Sequence, residues 1–288
     1  MSVRVYDLDT CPLFPVGVAH SASSRDASGR AWLCTRVLVV HTPEDGWVLI
    51  DTGFGRQDLA NAPASMGAPF IAGVRPDMAR SKSAAEFVNT ERGMQESISR
   101  IVLTHLDLDH AGGIRDFKGV PVSVHPHEWD AAKRQPRISH RYRYRATQLK
   151  GVENVEPYGP ATTTFGGFEA GAIPGLSDRF LWVNLPGHSP GHCGIAVRRD
   201  NGSWIFHVGD AVLEMQEITS SNPKLSVAIR FHHGFFDDNA KQGRATRQQL
   251  AKLYANEGRD WTWVCGHDPA PTGPVDDRWV TLGGPERA

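Results

Sequence analysis

Ten residues, "THLDLDHAGG" (Thr104 to Gly113), hold four side chains able to donate to a metal: His105, Asp107, Asp109 and His110. They follow directly on the apolar run Ile101–Leu103. Imidazole and carboxylate together suit divalent ions such as zinc, manganese or iron. Residues two apart on a tight loop can reach one ion, while the adjacent Asp109 and His110 point apart and can reach another. A lone histidine is more often a satisfied core residue. Here the set recurs within six positions, and His188, Asp210 and His267 each follow a further apolar run. A metal site accounts for all of them at once.

The elements that must hold these groups are visible in the same pattern. Five short runs rich in Val, Ile, Leu, Trp and Phe each pass into a loop bearing Asp or His. Trp47–Ile50 precedes Asp51, and Ile101–Leu103 precedes the opening motif. Phe180–Leu185 precedes His188 and His192, Trp204–Val208 precedes Asp210, and Trp261–Cys265 precedes His267. Such runs predict buried strands. If their C-terminal ends share one rim, a rigid scaffold delivers every loop to one place. Helices are predicted in "HEWDAAKRQ" from His127 and in "NAKQGRATRQQLAKLYANEG" from Asn239, and Asn201-Gly202 marks a hairpin. Strands mixed with helices in both halves imply an α/β class built on mixed sheets.

Two stretches break this rhythm. Residues 54–91 are long and scattered with Gly, Pro, Ala and Met, as expected of a lid over a site. Phe54, Phe70 and Phe87 within it read as core or interface packing. Residues 133–150, "KRQPRISHRYRYRATQLK", are basic and interleaved with tyrosine. They read first as a solvated face. The alternative is a cap whose Tyr142, Arg143 or Tyr144 meets an anionic or carbonyl-bearing substrate.

The bulk properties narrow the class. The chain of 288 residues has a net charge of −1, with 40% hydrophobic and 22% charged residues. That fits one globular domain over residues 1–288 acting on a small molecule, with no field to attract nucleic acid or an anionic membrane. A homodimer is compatible with it. No run approaches the ~18 apolar residues of a membrane span, and the N-terminus has no continuous apolar signal region. Cys11, Cys34, Cys193 and Cys265 are widely spaced, as for buried thiols in a reducing cytoplasm.

"THLDLDHAGG" resembles the H-x-H-x-D-H signature of the metallo-β-lactamase fold superfamily, with Asp107 in place of the middle histidine. "VLIDTG" (48–53), "LPGHSPGH" (185–192), "HVGDA" (207–211) and "CGHDP" (265–269) follow the family's order, over roughly residues 30 to 270. The resemblance implies an αββα sandwich of two mixed sheets with two divalent ions at one edge. It implies a first site of His105, Asp107 and His188 and a second of Asp109, His110 and His267, with Asp210 bridging them. Asp51 would orient the ligand loop without binding metal. His125, His127, His192, His207, His232 and His233 match no ligand position and are expected to pack, cap or face solvent.

In the family's hydrolytic chemistry a metal-bridging hydroxide attacks a carbonyl or phosphoryl centre, and Asp109 orients it and carries its proton to the leaving group. Asp107 makes the first shell neutral when counted with Asp109, Asp210 and hydroxide. It is also a harder donor than imidazole, which tilts the first site from zinc toward manganese or iron. Length, "HAGG" and the "HPHE" connection are most similar to the lactonase and organophosphate-hydrolase branch. Many lactonases there carry an oxyanion-stabilising tyrosine three residues after the bridging aspartate; this sequence has Leu213. It is more similar still to a group that shares "HLDLDHAGG" and an "RYR" segment, here "RYRYR" at 141–145. The expectation is a dinuclear hydrolase of a lactone or ester, with a phosphotriester or thioester as the alternative. Rivals from other classes are a di-iron oxidoreductase and a non-catalytic metal-bound sensor.

Overall fold

The structure, a computed structural model, describes residues 3–18, 25–90, 94, 98–149 and 152–286. Among them, thirteen strands form two sheets. The first sheet contains β1 (Arg4–Asp9), β2 (Arg36–Thr42), β3 (Gly46–Ile50), β4 (Ile98–Val102), β5 (Val122–Val124) and β6 (Val155–Pro157). The second contains β7 (Thr163–Phe165), β8 (Phe168–Ala172), β9 (Phe180–Asn184), β10 (Cys193–Arg198), β11 (Trp204–His207) and β12 (Thr262–Val264). The last strand, β13 (Trp279–Gly283), returns to lie parallel to β1. Both sheets are mixed: β3, β4, β5 and β6 run parallel, β1, β2 and β3 antiparallel, and only β11 and β12 are parallel in the second sheet.

The period-two alternation of side chains along a strand explains why the sheets are sandwiched. On β2, Leu38 and Val40 face Phe180, Ile195 and Val197 of the other sheet, while Val37 and Val39 face Ala84, Ala85 and Val88 of a helix. On β10 and β11, Ile195, Val197 and Ile205 enter the inter-sheet core, and Ala196 and Phe206 turn outward to Leu250 and Leu253 of the helix Ala240–Asn256. Each sheet is therefore apolar on both faces and carries helices outside, which makes the αββα sandwich.

The predicted helices are present at Pro126–Arg134 and Ala240–Asn256. Asn239 caps the second, its side chain accepting from Gln242 N. That helix also pins the His188 loop: Thr246 Oγ1 donates to Pro186 O at 2.7 Å, and Asn239 N donates to Gly187 O at 2.9 Å.

Residues 54–91 differ from the loop expected there. The described part, 54–90, forms four short helices, Arg56–Ala60, Ala62–Ser65, Ala68–Val74 and Ala84–Thr90. Phe54 and Met66 are buried with Leu108 of the ligand loop, so the segment is packed into the wall of the site. The four cysteines are free and buried. Among the described residues no helix is long and apolar enough to cross a membrane.

Candidate metal centre

The ligand-bearing loops leave the C-terminal ends of β3, β4, β9, β11 and β12. The parallel pairs β3/β4 and β11/β12 bring their ends together, and β9 runs in the direction of β11 because each is antiparallel to β10. After β4 the chain bends at Thr104, is extended at Asp107, then makes one helical turn, Leu108–Ala111, in which the His110 and Ala111 amides donate to Asp107 O. His105 and Asp107 thus precede the turn, whereas Asp109 and His110 diverge on it.

Asp51 ties this loop to β3. It is fully buried with φ +59°, a conformation rare for a residue with a side chain. Its Oδ1 accepts from Thr104 N at 2.8 Å, and its Oδ2 accepts from Thr104 Oγ1 at 2.8 Å and lies 2.8 Å from His110 Nδ1. Backbone packs on backbone beside it, with Thr52 N donating to His110 O and Gly113 N to Gly53 O. A methyl group on Gly113 would come within 2.6 Å of Thr52 O, which accounts for the end of "HAGG".

Two groups of donors result. His105, His188 and Asp210 bring ligand atoms within 4.8 Å of one another, and so do Asp109, His110 and His267. Asp210 reaches both: its Oδ2 is 3.1 Å from His267 Nε2, 3.8 Å from His188 Nε2 and 3.9 Å from His105 Nε2, and its Oδ1 is 3.3 Å from His110 Nε2. On all four histidines Nε2 faces the centre while Nδ1 faces an anchor. The anchors are Thr104 Oγ1 for His105, Asp51 for His110, Cys34 O for His267 and, at 3.5 Å, Asp237 for His188. Such anchoring turns the Nε2 lone pairs of His105, His110 and His267 toward a metal, whereas His188 Nε2 also lies 2.8 Å from Arg143 Nη1.

The residues fit two divalent cations. His105 Nε2, His110 Nε2 and Asp210 Oδ1 are buried and lack hydrogen-bond partners. An unpartnered buried polar atom costs about 1–3 kcal/mol, so three of them converging mark a donor set. A side chain on Gly266 would collide with Asp210 Oδ1 and the His110 ring. Burial opposes charge on His267, yet Asp210 and Asp109 outweigh it and lift its pKa to about 9. Burial, with His110 beside it, pushes His105 down to about 3. The carboxylates thus draw positive charge into the cluster, which divalent cations would supply.

Asp107 stands next to the first group, its Oδ2 3.2 Å from His188 Nε2 and 3.5 Å from His105 Nε2. It is also paired with Arg143, whose Nη1 lies 2.9 Å and 2.7 Å from its two oxygens. The basic segment is therefore not simply the solvated face that was read first. Its helix Ile138–Arg143 delivers Arg143 to the ligands. Tyr144, offered as an alternative substrate contact, is 1% exposed, and its hydroxyl donates to Glu128. The side chain of Tyr142 lies outside the described residues.

Three positioning residues escaped the sequence reading. Glu128 is wholly buried and accepts from Leu106 N, Tyr144 Oη, Ser189 Oγ and Gly191 N at 2.7 to 3.0 Å, knitting two ligand loops to the cap. Arg36, paired with Asp7, donates to the carbonyls of Cys265, Asp268 and Pro269 and so clamps the His267 loop. His192, expected to pack, cap or face solvent, accepts from Asp210 N at 2.9 Å through Nε2. "HPHE" was noticed without singling out its glutamate, and no local pattern announces the other two partnerships.

A model of the metallo-beta-lactamase superfamily matches residues 31–256. The chain belongs to that superfamily. It is similar to a probable metallo-hydrolase of Mycobacterium tuberculosis, 33% identical over 258 residues that cover 88% of this chain and 81% of that one. The N-acyl homoserine lactonase of Bacillus cereus is 26% identical over 168 residues, 58% of this chain and 60% of the lactonase. Among solved structures, an N-acyl homoserine lactone hydrolase with N-hexanoyl-L-homoserine at its catalytic metal centre matches with a TM-score of 0.65 at 18% identity, over 93% of both chains. The hydrolase AbOPH matches at 0.53 and 18%, over 84% of this chain and 75% of that one. These structural likenesses concern the fold.

Proposed function

We propose that the chain hydrolyses a lactone or ester at a dinuclear metal centre held by His105, His188 and Asp210 on one side and Asp109, His110 and His267 on the other. The observation that carries this reading is the convergence of those donors, with buried nitrogens and an oxygen left unpartnered, on one rim of the fold. When bound, two divalent cations supply an activated water and a Lewis acid for the acceptor oxygen. The protein's part is positioning. The Nδ1 anchors fix each imidazole. Asp109 is more exposed than Asp210 and, unlike Asp107, is not held by Arg143, so it can take a proton from an incoming water and return it to the leaving oxygen.

The likeness to lactonases supports a cyclic or linear ester carbonyl. Leu213 is buried and the Tyr144 hydroxyl is engaged by Glu128, so neither offers a phenol to an oxyanion. The likeness in fold to AbOPH keeps a phosphotriester within the same reading, and a thioester has the same requirements.

The test is elemental analysis of freshly purified protein, followed by a panel of lactones, esters, thioesters and phosphotriesters. About two ions per chain with turnover of a lactone or ester is the expected result. Iron with redox turnover and no hydrolysis would replace this reading with a di-iron oxidoreductase. Metal-loaded protein inert toward the whole panel would make it a sensor.

A further inference from the structure

The two metal groups differ in one respect that composition does not show. Arg143 Nη1 lies 2.8 Å from His188 Nε2, the nitrogen that the first group must offer to a cation. The same Nη1 holds both oxygens of Asp107, and Nη2 donates to Phe236 O at 2.5 Å. The guanidinium is 8% exposed, so it is a fixed charge within the wall. In the other group the near contacts of Asp109, His110 and His267 are carboxylates and imidazoles, with no arginine or lysine among them in the described residues.

We infer that Arg143 is a built-in competitor for the first metal site, so that the two sites load unequally. A lone pair on His188 Nε2 can accept an N–H or bind a cation, not both. A divalent ion held there must displace the guanidinium from His188 and tolerate its charge at close range, in a place where water screens little. The site of Asp109, His110 and His267 has no guanidinium to displace, only protons that a cation can replace, and it fills first. Asp107 then serves chiefly as the counter-ion of Arg143. The pair is neutral as imidazole is neutral, so an aspartate can stand where the family motif has histidine without lowering the charge of the centre. This inference rests on the dinuclear reading of the site.

The experiment is calorimetric titration of metal-free, full-length protein with zinc, repeated with manganese, and elemental analysis after dialysis. Two binding steps separated by at least about 100-fold are expected in the wild type. The tight step should vanish in His267→Ala and the weak one in His105→Ala. Arg143→Gln should tighten the weak step by roughly 10-fold or more, while Arg143→Lys, which keeps the charge, should leave it weak. Equal steps in the wild type, loss of the tight step in His105→Ala, or a weak step unmoved or weakened by Arg143→Gln would each overturn the inference. The wild-type comparison stands even if a variant does not fold. Folded wild-type protein that binds no metal would remove the dinuclear reading as well, whereas two equal sites would remove only the role of Arg143.

Discussion

Asp51 Oδ2 lies 2.8 Å from His110 Nδ1, which turns His110 Nε2 toward Asp210 and the metal centre. The same carboxylate receives the amide and hydroxyl of Thr104, so one buried side chain sets both a ring orientation and the path of the ligand loop.

Asp51→Asn should therefore weaken metal binding without removing a ligand. A loss of roughly 10- to 100-fold in affinity at the His110 site is expected, as for other partners behind a ligand. Competition with a chromophoric chelator reads it directly. Unchanged affinity in folded protein would show that Thr104 and the backbone hold His110 without Asp51.

Glu128→Ala should be among the costlier substitutions in the chain. It strands four buried donors, those of Leu106, Tyr144, Ser189 and Gly191. At about 1–3 kcal/mol for each donor left unpaired, a loss of several kcal/mol is expected in denaturant unfolding. Glu128→Gln should retain part of it, since one amide oxygen still accepts. A difference under about 1 kcal/mol for the alanine variant would mean that water replaces the carboxylate.

Arg36→Met should loosen the His267 loop. It leaves Asp7 as an uncompensated buried charge, at a cost of about 3–5 kcal/mol, and frees the carbonyls of Cys265, Asp268 and Pro269. The measured signs would be a lower Tm and weaker binding at the site containing His267. A lower Tm with metal affinity intact would confine Arg36 to stability.

Asp9 supplies a pH dependence away from the metal centre. Burial is the main cause that lifts its pKa from 3.8 to about 7, and its Oδ2 has no hydrogen-bond partner. Between those values the folded chain holds a proton that the unfolded chain has released. The contribution is whole below 3.8 and is lost as pH rises through about 7. Asp9→Asn keeps an oxygen for the amides of Cys11 and Thr35 and cannot ionise. The stability of the wild type relative to this variant should fall between about pH 4 and 7, by on the order of a few kcal/mol, and level off above that. Parallel stability curves across that range would show that Asp9 does not titrate there.

Much of the centre was legible in the order of residues because it depends on local rules. Strands betray themselves by short β-branched and aromatic runs, and a site at strand ends places its ligands just after those runs. Hence β3, β4, β9, β11 and β12 and the loops behind them could be read directly. The strand β2 was not singled out, although "RVLVVHT" is buried throughout save for His41; it carries no chemistry-bearing loop to draw notice. The helices of 54–90 show no helical period because Gly, Pro and Asn interrupt it; packing of Phe54, Ala62 and Met66 on Leu108, and of Ala84, Ala85 and Val88 on β2, holds them.

The sequence by itself determined which side chains can bind metal, since ligand chemistry resides in residue type and the close spacing of His105, Asp107, Asp109 and His110 is local. Only the tertiary structure decided how those side chains are used. Glu128, Arg36 and Arg143 act on partners 16 to 233 residues away in the chain, through distances that no local spacing records. The aspartate at 107 is the clearest case. Its type was plain from the start, but its partner is brought to it by a separate helix, and a charge can be assigned a role only once the charge facing it is known.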